Sequence, residues 1–146
     1  MIVVGYPGIG KSTLANQMSV IDLESSWFKR LPDWSDFYVE MAAHLSKQHN
    51  VVMVSSHPEV IEKVILSDEK ACMIYPSLKL ENEWIKKVGE RLLENPSQKN
   101  YRAYERAKKY FSSDIEDLQR YNIKKCEIDD INYCLKNIID DIILKF

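Results

Sequence analysis

Short runs of apolar residues recur along the chain and are separated by longer amphipathic stretches. β-branched residues are frequent in the first three runs, and a continuous run of this kind is typical of a strand that is buried on both faces of a parallel sheet. Five strands are predicted on this basis: Ile2–Val4, Val20–Leu23, Val51–Ser55, Ala71–Tyr75 and the more polar Lys124–Ile128.

Between these runs the apolar positions recur every three or four residues, which is the period of an amphipathic helix. Phe37, Met41 and Leu45 give one such buried face on a helix over residues 36–48, with Tyr38 and Ala42 beside it. Strands and helices therefore alternate, which predicts one doubly wound α/β domain with right-handed crossovers. Further helices are predicted from Ser12 to Met18, from Pro58 onward, from Glu81 to about Glu94, from Asn100 to Leu118, and from Ile131 onward after a cap at Asp129 or Asp130.

Composition narrows the class of protein. The 146 residues carry a net charge of −2, so we expect no bulk binding of nucleic acid. No stretch approaches the roughly 20 apolar residues of a membrane span, so we expect no membrane contact. The chain starts on its first strand, so we expect no signal peptide and predict a cytoplasmic protein. The three cysteines form no C-x-x-C pair and the histidines are scattered; we expect buried thiols and no zinc site.

The segment between the first strand and the first helix carries the most specific motif. Gly5 to Ser12 matches the P-loop pattern G-x-x-x-x-G-K-S, in the strand–loop–helix context that this motif requires. Its glycines let backbone N–H groups face anionic oxygens, Lys11 supplies a positive charge for the β- and γ-phosphates, and Ser12 is the expected Mg²⁺ ligand. The alternative is a glycine turn that binds nothing. The predicted nucleotide-binding residues are Gly8, Ile9, Gly10, Lys11, Ser12 and Thr13.

Polar side chains at the ends of the second and third strands are the next candidates. Asp22 lies near the carboxyl end of its strand, where open α/β sheets bind their ligands. Its carboxylate could accept a proton from a substrate hydroxyl, hold a Mg²⁺-bound water or bind a sugar hydroxyl, or it could cap a turn. The third strand ends in Ser55-Ser56-His57, where many P-loop enzymes carry an aspartate for Mg²⁺. Either Ser12, waters and Asp22 hold the metal, or its site is unusual.

Two further groups of residues suggest contact with a substrate. Residues 25–36 combine two tryptophans with two cations, so Trp27, Arg30 and Trp34 are predicted to stack on a flat ring and pair with an anion; the alternative is that the aromatic residues fill the edge of the core. Arg102 and Arg106 share a helix face and could clamp phosphates during transfer. The alternative there is a solvated face with ordinary ion pairs to the neighbouring Glu105.

In element order and motifs, the chain resembles the small P-loop kinases, which include the nucleoside monophosphate kinases and the shikimate and gluconate kinases. The runs 6–15, 21–26 and 54–57 are also similar to predicted nucleotide kinases of phages and Gram-positive bacteria. The resemblance implies a three-layer P-loop NTPase fold in one domain, residues 1–146, with a five-stranded parallel sheet of order 2-3-1-4-5. It also implies a helical lid over about residues 81–121 that closes over ATP with Arg91, Arg102 and Arg106, and an acceptor site with Asp22, Trp27, Arg30 and Trp34.

The predicted function is that of an ATP-dependent kinase that uses Mg²⁺, with a nucleoside or deoxynucleoside monophosphate as the acceptor. The alternatives are a kinase that phosphorylates a hydroxyl (of a nucleoside, a sugar acid or a nucleic-acid 5′ end) with Asp22 as general base, and a non-catalytic nucleotide-binding module. We expect a monomer or a homodimer. The predicted catalytic residues are Lys11, Asp22, Arg91, Arg102 and Arg106, and they act by positioning and charge neutralisation.

Overall fold

The computed structural model describes residues 1–17 and 19–145. Met18, which the sequence assigns to the first helix, and Phe146, the last residue of the predicted domain, lie outside the described residues. The strands are β1 (Ile2–Gly5), β2 (Val20–Asp22), β3 (Val51–Ser55), β4 (Ala71–Pro76) and β5 (Lys124–Ile128). The helices are α1 (Lys11–Ala15), α2 (Trp34–Ser46), α3 (Pro58–Leu66), α4 (Glu81–Glu94), α5 (Gln98–Arg120) and α6 (Leu135–Lys145).

Over the described residues, five parallel strands form one sheet in the order β2-β3-β1-β4-β5. This confirms the predicted α/β class and strand order. The register aligns Gly5 of β1 with Ser55 of β3, and Asp22 of β2 with Met53. Because the strands are parallel, the carboxyl ends of β1, β2 and β3 lie at the same edge of the sheet, which is where loops of an α/β sheet bind their ligands.

The central strands are buried along their whole length. Ile2–Val4 in β1 and Val51–Val54 in β3 have no exposed surface, as expected for strands with neighbours on both sides and helices on the faces. At the edge of the sheet, the first two residues of β5 are exposed lysines. The contacts divide the chain into two compact units, which we call the first unit (residues 1–74 and 121–126) and the second unit (residues 75–120 and the described residues from 127 onward).

The buried face of α2 agrees with the prediction only in part, since Tyr38 and Ala42 are buried as expected but Phe37 and Met41 are not. Phe37 is 52% exposed and Met41 is 42% exposed, whereas Tyr38, Val39 and Ala42 are buried. Both sets have helical spacing, and they differ by a rotation of about one residue around the helix. The sequence could not separate them, because apolar residues stand at adjacent positions over this stretch. Tyr38 decides between the two faces, since its hydroxyl has buried partners.

The Tyr38 hydroxyl bridges the ends of two strands. It donates a hydrogen bond to the Leu23 carbonyl, directly after β2, at 2.5 Å, and it accepts one from the Ser55 N–H at the end of β3 at 3.0 Å. Burial raises the pKa of this phenol, so it remains a neutral donor. Tyr38 therefore fixes the two strand ends that carry the polar candidates of the first unit.

The start of α6 is also later than predicted. The helix begins at Leu135 rather than near Ile131, and residues 129–134 form a loop. Asp130, predicted as a helix cap, instead accepts a hydrogen bond from the Asn132 N–H through Oδ1 at 2.8 Å. An aspartate that bonds the backbone two residues on forms an Asx-turn, and this local alternative competes with the first turn of a helix.

The cysteine prediction holds only in part. Cys72 is buried in β4, Cys126 is half-buried and Cys134 is exposed, so burial is wrong for Cys134. Burial raises the pKa of the Cys72 thiol to about 12, which makes it unreactive at neutral pH. Among the helices that the structure describes, none is long and apolar enough to cross a membrane.

We expect Tyr38→Phe to lower the free energy of unfolding by about 1–3 kcal/mol, because it leaves the buried Leu23 carbonyl and the half-buried Ser55 N–H without this partner. Denaturant unfolding followed by circular dichroism measures this. Tyr110→Phe is the matched control, since Tyr110 is exposed on α5 and its loss of a hydroxyl should change stability by less than about 0.5 kcal/mol. Equal stability of the two variants would contradict the bridging role of Tyr38.

Candidate functional site

The loop between β1 and α1 has the backbone conformation that its glycines permit. Gly8 and Gly10 have φ angles of 90° and 102°, in the left-handed region that side chains disfavour. At Gly5 the restriction is space, because a Cβ atom there would lie 2.7 Å from Ile9 Cδ1 and 2.9 Å from Lys11 Cδ. The loop therefore folds tightly back on itself, with Ile9 buried beneath it.

The Lys11 side chain lies along this loop. Its Nζ donates to the Gly5 carbonyl at 2.8 Å and is 3.3 Å from the Tyr6 carbonyl. The helix that follows, α1, spans only Lys11–Ala15, so a helix dipole contributes little here. Positive charge at the loop comes from the ammonium group and from backbone N–H groups, which is the donor set that a phosphate group requires.

The structure brings together two residues whose predicted roles differ. The Ser12 hydroxyl, the predicted metal ligand, donates a hydrogen bond of 2.8 Å to Oδ2 of Asp22, the predicted acceptor residue at the end of β2. A hydroxyl oxygen beside a carboxylate suits Mg²⁺, which prefers oxygen ligands and takes only one or two from the protein when phosphates and waters supply the rest. The residues therefore fit a Mg²⁺–nucleotide.

No group of three or more histidine, cysteine, aspartate or glutamate side chains within residues 1–17 and 19–145 could hold a metal ion by itself. The Ser12–Asp22 pair differs from such a cluster because it supplies a hydroxyl and a single carboxylate. A metal bound there would take its remaining ligands from a phosphate-bearing molecule and from water.

A second polar network lies at the end of β3. The His57 ring is 2.8 Å from Lys29 Nζ through Nε2, and 2.8 Å from Ser55 Oγ through Nδ1. An ammonium group can only donate, so Nε2 accepts from Lys29 and the Nδ1–H donates to Ser55. The sequence does not predict this network. The one sequence signal for it is the position of His57 directly after a central strand.

The predicted substrate residues of the 25–36 segment have different environments. Trp34 is half-buried and packs edge-on against His57, with ring centroids 5.6 Å apart, and against Tyr38 at 5.8 Å. Trp27 is 71% exposed, and Arg30 is exposed as well. Trp34 is thus a fixed wall beside the Lys29–His57 pair, while the other two side chains extend into solvent.

The arginines predicted as a lid all belong to the second unit. Arg91 on α4 is half-buried and Arg102 on α5 is exposed. Arg106 forms a bidentate ion pair with Asp114, with Nε–Oδ2 and Nη2–Oδ1 distances of 2.8 and 2.7 Å. Glu105, the alternative partner proposed from sequence, instead pairs with Lys108 and Lys109.

The second unit also contains an open cavity of about 490 Å³. Three carboxylates and one ammonium group contribute to its wall, so its local charge opposes the binding of a phosphate group. None of the predicted site residues is among those that line it, which are Lys79, Leu80, Glu83, Asp129, Asp130 and Ile131. We therefore do not include it in the candidate site.

Two comparisons with known proteins find no relative of the chain. A scan against models of protein families finds no match to the chain, and a search of curated proteins finds no significant match. Inferences about function therefore come from the glycine loop, from the Ser12–Asp22 pair and from the polar network at the end of β3.

Proposed function

We propose that the chain is an ATP-dependent phosphotransferase of the P-loop kinase type that acts with Mg²⁺ on a nucleoside or deoxynucleoside monophosphate. The observation that supports this most strongly is the hydrogen bond between the Ser12 hydroxyl and the Asp22 carboxylate. Ser12 directly follows a glycine loop in which the Lys11 ammonium group bonds to the Gly5 and Tyr6 carbonyls. A turn that binds nothing requires neither feature.

The residues of the loop would share the binding of the phosphates. The Lys11 ammonium would exchange its bonds to the Gly5 and Tyr6 carbonyls for charge-assisted bonds to phosphate oxygens. Ser12 would hold Mg²⁺ through its hydroxyl, and Asp22 would act through that hydroxyl or a bound water. When bound, the metal neutralises charge on the phosphates, and the protein contributes mainly positioning.

The partner of Asp22 bears on the choice of acceptor. A carboxylate that accepts a hydrogen bond from the metal-binding hydroxyl lies on the metal side of the site, which makes it less suited to take a proton from an alcohol. A phosphate acceptor is already ionised and needs no base. This arrangement favours a monophosphate acceptor over a hydroxyl acceptor.

We propose that Lys29 and Trp34 contribute to the acceptor side. Lys29 Nζ lies 5.7 Å from the centre of the Trp34 ring, so a cation and an aromatic ring face the same space. A nucleotide offers a phosphate and a flat base, which match these two groups. Trp27 and Arg30 extend the same segment. In the second unit, Arg91 and Arg102 remain candidates for phosphate contact, whereas Arg106 would first have to leave Asp114.

A coupled assay of ADP release tests the proposed function. The purified 146-residue chain is given Mg²⁺-ATP with a panel of ribo- and deoxynucleoside monophosphates, and separately with nucleosides and small alcohols. Release that one or a few monophosphates stimulate supports the proposal. ADP release that only alcohols stimulate would indicate that Asp22 acts as a general base. Nucleotide binding without any stimulated ADP release would indicate a non-catalytic binding module.

We expect Lys11→Ala to reduce turnover by orders of magnitude, because Lys11 supplies the charge that faces the β- and γ-phosphates. Steady-state kinetics of ADP release measures the loss. Lys47→Ala removes an equivalent charge from an exposed position at the end of α2 and should leave the rate unchanged. Wild-type activity in Lys11→Ala would show that the P-loop interpretation is wrong.

We expect Asp22→Asn to raise the Mg²⁺ concentration needed for half-maximal activity by about 10–100-fold, the usual effect of removing a group that supports a metal ligand. The rate at saturating Mg²⁺ should fall much less. Asp33→Asn is the control, since Asp33 is exposed and has a φ of 53° that asparagine tolerates. A rate that fell about a hundredfold at every Mg²⁺ concentration would instead indicate a general base.

A further inference from the structure

An exposed stripe runs along α2 on the side opposite to its buried residues. We call it the α2 seam, and its members are Phe37, Met41, His44 and Gln48. All four side chains are exposed. Phe37 and Met41, at 52% and 42%, give the stripe an apolar part where a helix in contact with water is usually polar.

The spacing of the α2 seam is that of a helix-packing surface. Its members follow one another after four, three and four residues, which is the alternation by which one helix packs lengthwise on another. The helical path extends far enough to include the last of them. Lys47 still has helical dihedral angles, and the N–H of His49 bonds to the Leu45 carbonyl at 2.9 Å.

Two opposite charges lie on one flank of the α2 seam. Glu40 and Lys47 are both exposed, and they are two helical turns, or about 10 Å, apart along the axis. Within the part of the chain that the structure describes, neither side chain forms an ion pair. Asp36, in contrast, is already paired with Lys63 of α3. Glu40 and Lys47 are therefore charges that a docking helix could pair.

The order of these charges makes the surface complementary to itself. When a second copy of α2 is laid antiparallel on the first, Glu40 of each copy comes opposite Lys47 of the other. The same two-fold axis places Met41 opposite His44, and Phe37 opposite Gln48, so the apolar parts overlap. A parallel pair would instead bring like charges to the same level along the axis.

We propose that the α2 seam is the interface of a homodimer, in which two copies of the chain pack their α2 helices antiparallel about a two-fold axis. The occupant is a second copy because one surface supplies both the apolar contacts and both members of each ion pair. A partner of another kind would have to carry the complementary set itself. This inference does not depend on the nucleotide site and holds whether or not the chain is a kinase.

The small size of the α2 seam sets the strength of this dimer. Four positions on each copy form a smaller surface than the roughly 800 Å² per partner of a typical stable interface. We therefore expect a dissociation constant of about 10 μM to 1 mM. The two ion pairs are exposed, so their contribution should decrease as the salt concentration rises.

Sedimentation equilibrium of the 146-residue chain without nucleotide tests the proposal. Glu40→Lys and Lys47→Glu should each raise the dissociation constant about 10-fold, because two attractive contacts become two repulsive ones. The double variant, Glu40→Lys with Lys47→Glu, should restore the dissociation constant to within about 3-fold of wild type, since opposite charges meet again across the axis. Both side chains are exposed, and circular dichroism verifies that the variants fold.

A second pair of variants tests the apolar part of the interface. Phe37→Ser should raise the dissociation constant about 10-fold or more through lost apolar burial. Leu93→Ser is the control, because Leu93 is exposed but lies on α4 in the second unit, and its loss should have no effect. A wild-type chain that remains monomeric up to about 1 mM would overturn the proposal. So would a dimer that Phe37→Ser leaves unchanged, or one that the double charge reversal does not restore.

Discussion

The parallel pairing of β1 with β3 and β4 is the constraint on which the candidate site depends. It aligns Gly5 with Ser55 and with Ile74, and the pairing of β2 with β3 adds Asp22 to the same edge. The glycine loop begins where β1 ends, so its position relative to Asp22 is fixed by the backbone pairing of β1, β3 and β2. The Tyr38 hydroxyl then holds the ends of β2 and β3. The sheet therefore places the few polar side chains of the candidate site.

The two units satisfy their positive charges in different ways. Lys11 lies against backbone carbonyls, and these are the carbonyls of Gly5 and Tyr6, within the loop itself. Arg106, in contrast, is held by both oxygens of Asp114. An anionic ligand binds most readily to a cation whose own partner is weak. This criterion distinguishes lysines and arginines that the composition counts only as equal positive charges.

The sequence predicted the strands well because buried parallel strands need continuous β-branched runs, and the strand order 2-3-1-4-5 implied by the resemblance is confirmed. It failed for the face of α2, where apolar residues at adjacent positions fit two rotations, and at the start of α6, where Asp130 forms a local turn instead of a cap. The glycine loop was visible because its geometry requires particular residue types. The Lys29–His57 contact spans 28 positions, so no local pattern could reveal it, and the Ser12–Asp22 bond depends on sheet register.

The two outer strands of the sheet bear on how copies of the chain behave at high concentration. An edge strand has unpaired N–H and carbonyl groups that can pair with the edge of another molecule and start aggregation. β2 is only three residues long, and β5 begins with two exposed lysines that would repel the same strand of a second copy. Short strands and edge lysines are two ways in which natural proteins block such growth. The sheet is thus protected against extension from both sides.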